Sequence, residues 1–113
     1  MNNTSAIELP DSFPPTLLVV VDTEEEFDWY GDFDRQATSV EATAELHKLQ
    51  AVFDEYGVRP VYVIDYPIAS TPKAVDALRP IVDDGRAEIG GHLHTWVSPP
   101  YTEEVNRRNS FQR

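Results

Sequence analysis

Two short pairs of residues in this 113-residue chain carry side chains that can hold a metal ion. Asp22 and Glu24 are separated by one residue, and so are His92 and His94. In extended backbone, residues i and i+2 point to the same side, so each pair can direct both side chains at one point. Carboxylate oxygens and imidazole nitrogens are ligands of zinc and other transition metals. The pairs therefore predict a metal site, with water at its remaining positions, if the fold brings them together.

The elements predicted around these pairs form a parallel α/β sheet. Continuous β-branched runs at 16–21 (TLLVVV) and 58–64 (VRPVYVI) are typical of strands buried on both faces, and a third extended segment is predicted at 87–96 (AEIGGHLHTW). Two helices are predicted between them, at 38–56 and 72–84. The order β-α-β-α-β favours right-handed crossovers and a parallel sheet.

Specific residues mark the ends of the predicted helices. Thr38, Ser39 and Glu41 form a capping-box pattern at the start of the first helix. Its apolar stripe is predicted to comprise Leu46, Leu49, Phe53 and Tyr56. Gly57 follows the first helix and Gly85 the second, each at the position where a glycine commonly ends a helix. Pro80 falls inside the second helix, where we expect it to shorten or kink that element.

Both candidate pairs follow strands, at the carboxyl edge where parallel sheets place their ligand sites. One carboxylate and two imidazoles can hold the ion, and a second carboxylate beside them can act as a base. A plainer interpretation remains open, in which Asp22 only caps the loop after its strand. We expect Glu25, Glu26 and Asp28 to face solvent for the most part, and His47 to lie on the surface of its helix.

Composition excludes several classes of partner and site. The formal charge is −11, and residues 1–56 hold 13 acidic and 2 basic side chains. Such a charge repels nucleic acid and anionic membranes. The chain has no cysteine, so disulfides and thiolate metal sites are excluded. No signal sequence or membrane span is recognisable, and we expect a cytoplasmic protein. We divide it into a flexible segment (1–15), a domain (16–100) and a polar tail (101–113).

The segments VVVDTEEEFDW and AEIGGHLHTWVSPP together resemble motifs of the polysaccharide deacetylase superfamily, and the resemblance covers residues 16–100. It implies the metal-dependent removal of N- or O-acetyl groups from a bacterial glycan or its precursor, with zinc as the expected ion. It assigns the catalytic base to Asp22 and metal ligands to Glu24 and His92. The implied fold is a distorted (β/α) barrel of seven strands, of which this chain contains the first three.

One position departs from the family pattern. Most members place the second histidine ligand four residues after the first, where this chain has Trp96. His94 is then expected to be the third ligand, as in a His-x-His-x-Trp branch linked to bacterial surface-polysaccharide loci. Trp96 and Trp29 are expected to bind substrate, because an aromatic ring can stack on the apolar face of a sugar.

Two other functions remain open at this stage. A phospho-acceptor receiver domain would use Asp65 as its acceptor, 43 residues after Asp22. The later lysine that such a site needs is missing, because Lys48 and Lys73 do not follow a strand. A non-catalytic remnant of the deacetylase fold is the second alternative. In either deacetylase-like case we expect the uncovered edge of the sheet to promote self-association.

Overall fold

The computed structural model describes residues 6–110, in which three parallel strands form one sheet. The strands are β1 (Val20–Thr23), β2 (Val61–Ile64) and β3 (Glu88–Gly91), arranged in the order β1-β2-β3. Both pairings are parallel, and they align Val21 with Tyr62 and Tyr62 with Ile89. The predicted parallel β-α-β-α-β order is therefore confirmed, with β2 as the central strand.

The connections between the strands are helical. A 3-10 turn (Glu41–Glu45) leads directly into α1 (Leu46–Glu55), and β2 is followed by a short helix, α2 (Tyr66–Ser70), and by α3 (Pro72–Asp83). Gly57 and Gly85 have φ angles of 65° and 72°, as expected for glycines that end helices. Helix α3 continues through Pro80, whereas α2 was not predicted.

The capping box predicted at Thr38–Glu41 is wrong. The residue before the 3-10 turn is Val40, and no side chain of its own caps it. Glu26, in the loop after β1, caps the turn instead. Its carboxylate accepts hydrogen bonds from the Ser39 hydroxyl (2.6 Å) and the Ala42 amide (2.7 Å). The Glu26 amide also donates to the Ser39 carbonyl at 2.8 Å. The start of this helix is thus stabilised by the acidic loop that follows β1.

The larger apolar core lies between one face of the sheet and the helices. Tyr62 is fully buried there, and its hydroxyl donates a 2.8 Å hydrogen bond to Gln50 on α1. Helices α1 and α3 contact each other, so both cover the same face. The stripe predicted on α1 is partly wrong, because Leu49 and Tyr56 are exposed. The buried positions of the core cluster are Val40, Tyr62, Ile68, Ala74, Leu78, Ile81 and Ala87.

The other face of the sheet is open, which corrects the prediction for the first strand. Leu17, Leu18 and Val20 are 76%, 82% and 60% exposed, and only residues 20–23 of this region are in a strand. Within residues 6–110, β1 pairs with β2 alone and the helices cover one face, so the alternate side chains of β1 stay uncovered by this part of the chain. The apolar run therefore predicted a strand in this region, but the strand begins later than expected and the predicted burial of both its faces is wrong.

The two ends of the described chain differ in their contacts with the rest of the fold. Residues 6–19 contain no helix or strand, while the remainder of the segment predicted to be flexible, 1–5, lies outside the described residues. After β3 the chain folds back: the Tyr101 hydroxyl donates to the Val97 carbonyl (2.9 Å), and Arg35 donates to the Glu103 carbonyl (2.8 Å). Residues 111–113 of the predicted polar tail also lie outside this part. Among residues 6–110, no helix is long and apolar enough to span a membrane.

Candidate metal centre

Three side chains converge at the carboxyl edge of the sheet. Nε2 of His92 lies 2.9 Å from Nε2 of His94, and Oε2 of Glu24 lies 3.0 Å and 3.2 Å from these two nitrogens. All three residues were predicted to share one site, and the structure brings them together. Four tetrahedral ligands at about 2.1 Å from an ion would stand about 3.4 Å apart. The three atoms are thus spaced closely enough to hold one ion with little movement.

The sheet itself places these side chains. The backbone amide of His92 donates to the Ile64 carbonyl at 2.9 Å, which extends the ladder between β2 and β3 by one residue. Glu24 directly follows β1, whose last residue, Thr23, is paired with Ile64. Both ligand pairs therefore leave the sheet at the same edge, with the end of β2 between them. The spacing i, i+2 then directs His92 and His94 to one point.

Asp22, the predicted base, lies on the solvent-exposed side of the cluster, next to His92; we call this the open side of the site. Its Oδ1 is 3.8 Å from Nδ1 of His92, which is longer than a hydrogen bond, and two thirds of its side chain is exposed. In the sheet it shares a row with Val63 and Gly90 on the uncovered face. The carboxylate is close to the ligand cluster but not tied to it.

A buried pair of carboxylates lies behind His94, and sequence reasoning missed it. Nδ1 of His94 is 2.9 Å and 3.1 Å from the two oxygens of Glu25, and 3.7 Å from Oδ2 of Asp65. The side chains of Glu25 and Asp65 have no exposed surface. The expectation that Glu25 faces solvent is therefore wrong. The alternation of Thr23, Glu25 and Phe27 on the inner side of the chain continues the strand pattern, and that signal was available in the sequence.

Burial and charge shift the titration of this inner pair. Loss of hydration raises the pKa of Glu25 to about 7, although its hydrogen bond with His94 acts in the opposite direction. Burial alone would lower the pKa of His94, but the hydrogen bond that its ring donates to Glu25 and the surrounding carboxylates raise this pKa above its ordinary value. Without an ion, the Glu25–His94 pair thus retains a proton to higher pH than either group would in water.

The two tryptophans have different environments. Trp96 is buried, with its indole 4.4 Å from the His94 ring in a stacked arrangement and 4.8 Å from Phe33. Its prediction as a sugar-binding residue is wrong, because its ring is covered by these neighbours. Trp29 is more than half exposed and lies 4.6 Å from Phe27, which in turn contacts His94 edge-on at 5.4 Å. Trp29 therefore remains available to a ligand near the site.

The hydrogen bonds and exposure of the candidate ligand atoms indicate which group of residues could bind a metal ion. Two groups lie close enough: Glu24, His92 and His94, and the buried set Glu25, Asp65 and His94. In the buried set, Oδ1 of Asp65 accepts from the Ile68 amide (3.1 Å) and Oδ2 accepts from the Glu25 amide (3.3 Å). In the outer set, two imidazole Nε2 atoms and a carboxylate oxygen face one another, and the side chains of Glu24 and His92 are partly exposed. The outer set could hold a divalent ion and leave positions open.

Asp65 is unsuited to the role that a receiver domain would give it. It is buried, follows the second strand, and serves as the N-terminal cap of α2. A phosphoryl group could not reach its oxygens without displacing the Glu25 and Ile68 amides. Burial therefore argues against the receiver alternative.

Comparisons of this chain with protein-family models, with curated proteins and with solved structures returned no match. The resemblance to polysaccharide deacetylases, which rests on two short motifs, accordingly stays a prediction. The α/β class and the clustered ligands are features of the structure itself.

Proposed function

We propose that this chain is a metal-dependent hydrolase of the polysaccharide deacetylase type, acting on acetyl groups of a bacterial glycan or its precursor. The observation that carries the proposal is the meeting of Glu24, His92 and His94 within 3.2 Å at the carboxyl edge of a parallel sheet. This is where parallel α/β proteins bind their ligands.

In this proposal Glu24, His92 and His94 hold the ion. One carboxylate with two imidazoles favours zinc or another transition metal over magnesium, which prefers oxygen ligands alone. When bound, such an ion polarises a carbonyl group and acidifies a water molecule. The side chains of Glu24 and His92 are 19% and 25% exposed, so solvent can reach this part of the site.

The open side of the site supplies the other groups. Asp22, exposed and next to His92, is the proposed base that takes a proton from the attacking water. Trp29 is the proposed stacking surface for the sugar ring, since it is more than half exposed and contacts Phe27, which in turn contacts His94. The acidic surroundings suit a neutral glycan better than an anionic one.

We further infer that the sheet has the barrel-type arrangement of this superfamily. Helices α1 and α3 cover one face, while Val20, Val61 and Val63 lie in rows on the other. In a (β/α) barrel the helices likewise lie outside and apolar strand residues line the interior. The open row of valines supports this assignment.

Metal binding is the first test of the site. Zinc titrated into the chelator-treated protein in a calorimeter should bind with one-to-one stoichiometry, and His92→Ala should remove most of the affinity because one of three ligands is lost. His47→Ala is the matched control, since His47 is an exposed histidine on α1 whose Nδ1 lies 2.8 Å from the Ala44 carbonyl of the preceding 3-10 turn. Equal losses in the two variants would show adventitious surface binding and would contradict the proposed site.

Acetate release tests the chemistry. Zinc-dependent release from acetylated glycan oligosaccharides, reduced about 10²- to 10⁴-fold by Asp22→Asn with unchanged zinc affinity, would support the hydrolase and the role of Asp22. Zinc binding with no measurable acetate release would favour the non-catalytic alternative.

A further inference from the structure

The buried carboxylates Glu25 and Asp65 have no part in the function proposed above. Ion pairs and carboxylates without exposed surface are costly to bury unless their oxygens are hydrogen-bonded. Here the oxygens are engaged: those of Asp65 accept from two backbone amides, and those of Glu25 lie 2.9 Å and 3.1 Å from Nδ1 of His94. The positions of both carboxylates relative to the His94 ring are therefore fixed by these contacts.

The contacts form a chain that ends at His94. Asp65 caps α2 and at the same time accepts the Glu25 amide, so it ties the loop after β1 to the end of β2. This contact spans 40 residues, and the Glu25–His94 contact spans 69. Three separate segments thus fix the position of the Glu25 carboxylate against the histidine ring.

A second metal ion is a poorer explanation of the same residues. An ion at the Glu25–Asp65–His94 set would need carboxylate oxygens that already accept backbone N–H groups. It would also have to enter a position where Glu25 and Asp65 have no exposed surface. The outer nitrogen of His94, Nε2, instead faces His92 and Glu24.

We propose that Glu25, anchored by Asp65, is a positioning residue that keeps the proton of neutral His94 on Nδ1 and leaves the Nε2 lone pair directed at His92 and Glu24. A carboxylate can only accept a hydrogen bond, so the imidazole nitrogen facing it must donate. The other nitrogen is then free for a ligand role. That the Nε2 lone pair serves a metal rests on the proposed function, whereas the location of the proton does not.

His92 provides an internal comparison. The nearest carboxylate oxygen to its Nδ1 is that of Asp22 at 3.8 Å, which is too long for a direct hydrogen bond. Its ring is also more exposed than that of His94. The proposed control of the proton position therefore applies to His94 and not to His92.

Nitrogen-15 NMR of histidine-labelled, chelator-treated protein tests the proton position directly, at a pH high enough to keep the imidazoles neutral. We expect the ring couplings of His94 to show the proton on Nδ1 in the unmodified chain, and a mixture of both forms in Glu25→Gln, because an amide can donate as well as accept. A His94 proton on Nε2 in the unmodified chain would overturn the inference, with no variant needed.

Zinc affinity supplies the second measurement. Glu25→Gln should weaken zinc binding roughly 10- to 100-fold, as is usual when the partner of a ligating histidine is altered. Glu26→Gln makes the same chemical change one residue away, at a side chain that contacts Ser39 and Ala42 rather than a histidine, and should leave affinity and proton position unchanged. Asp65→Asn should give a smaller loss than Glu25→Gln.

The two measurements separate this inference from the proposed function. A proton on Nδ1 in a chain that does not bind zinc would support the inference and contradict the metal site. Zinc affinity equal in Glu25→Gln, Glu26→Gln and the unmodified chain, with the His94 proton on Nε2, would overturn the inference and leave the metal site intact.

Discussion

The two histidines of the candidate metal centre have opposite environments. His94 is backed by Glu25 and Asp65, which have no exposed side-chain surface, and its ring stacks on the buried Trp96. His92 lies on the open side, with a quarter of its side chain exposed and with Asp22 nearby at 3.8 Å. One side of the site is thus part of the folded core, while the other is accessible to solvent. Two histidines that meet at one point can therefore differ greatly in burial and in their partners, and we expect them to differ in their contribution to stability.

The largest expected difference is in the effect of removing each ring. His94→Ala leaves the Glu25–Asp65 pair buried without its cationic or hydrogen-bonding partner and should lower the free energy of unfolding by about 3 kcal/mol. His92→Ala should cost less than about 1 kcal/mol, because its ring is partly exposed. Urea unfolding of both variants, after treatment with a chelator, measures this difference. Equal losses of unfolding free energy in the two variants would contradict the expectation that only the His94 side of the site stabilises the fold.

The pH dependence of the metal-free protein should come from the buried side. Glu25 has its pKa raised to about 7 in the folded protein, so the folded state holds a proton that the unfolded chain releases above its ordinary value of 4.5. The raised pKa of His94 acts in the same direction, since its contribution is lost as pH rises through the folded-state value. For Glu25, stability should therefore fall from about pH 4.5 to about pH 7, by at most about 1.4 kcal/mol per pH unit for each proton.

Urea unfolding at several pH values tests this dependence, with Glu25→Gln as the informative variant. Removing the carboxyl group should make the free energy of unfolding less dependent on pH. Asp22→Asn, on the open side, should leave this pH dependence unchanged. A decline that Glu25→Gln does not change would mean that the buried side does not control the titration.

A smaller effect is expected at Glu26, which belongs to neither side of the centre. Glu26→Gln weakens the contacts that cap the 3-10 turn before α1 and should cost about 0.5–1 kcal/mol. The hydrogen bonds from Ser39 and Ala42 also lower the pKa of this carboxyl, in contrast to that of Glu25. Thermal unfolding measures the loss, and zinc affinity should be unaffected. A loss of zinc affinity here would mean that the acidic loop acts as one unit.

The smallest expected effect is on self-association through the uncovered face of the sheet. Asp22 shares its sheet face with Val20, which is 60% exposed, so we expect weak self-association through this face and the edge of β1. Light scattering at several concentrations should show less association for Val20→Lys than for the unmodified chain. Val52→Lys is the matched control, because Val52 is exposed to a similar degree on α1. Equal effects of the two lysines would indicate a general effect of charge.

Local sequence predicted the parts of the fold that depend on neighbouring residues. The parallel order, the glycine-terminated helices and the convergence of His92 with His94 follow from short-range patterns: β-branched runs, left-handed glycines and the two-residue period of extended chain. The burial of individual residues was predicted less well. Leu18 is apolar and exposed, while Gln50 is polar and buried through its hydrogen bonds with Tyr62 and Asp54.

The three consecutive glutamates show what the sequence by itself determined and what only the tertiary structure decided. Sequence placed all three after a strand, at the edge where a ligand site was expected, and it predicted a ligand role for Glu24 but solvent exposure for Glu25 and Glu26. Only the folded chain distinguishes their surroundings: Glu24 meets two imidazoles, Glu25 is buried against His94, and Glu26 caps a helix. The reason is physical, because a carboxylate takes its pKa and its partners from groups that lie 13 to 69 residues away in the chain.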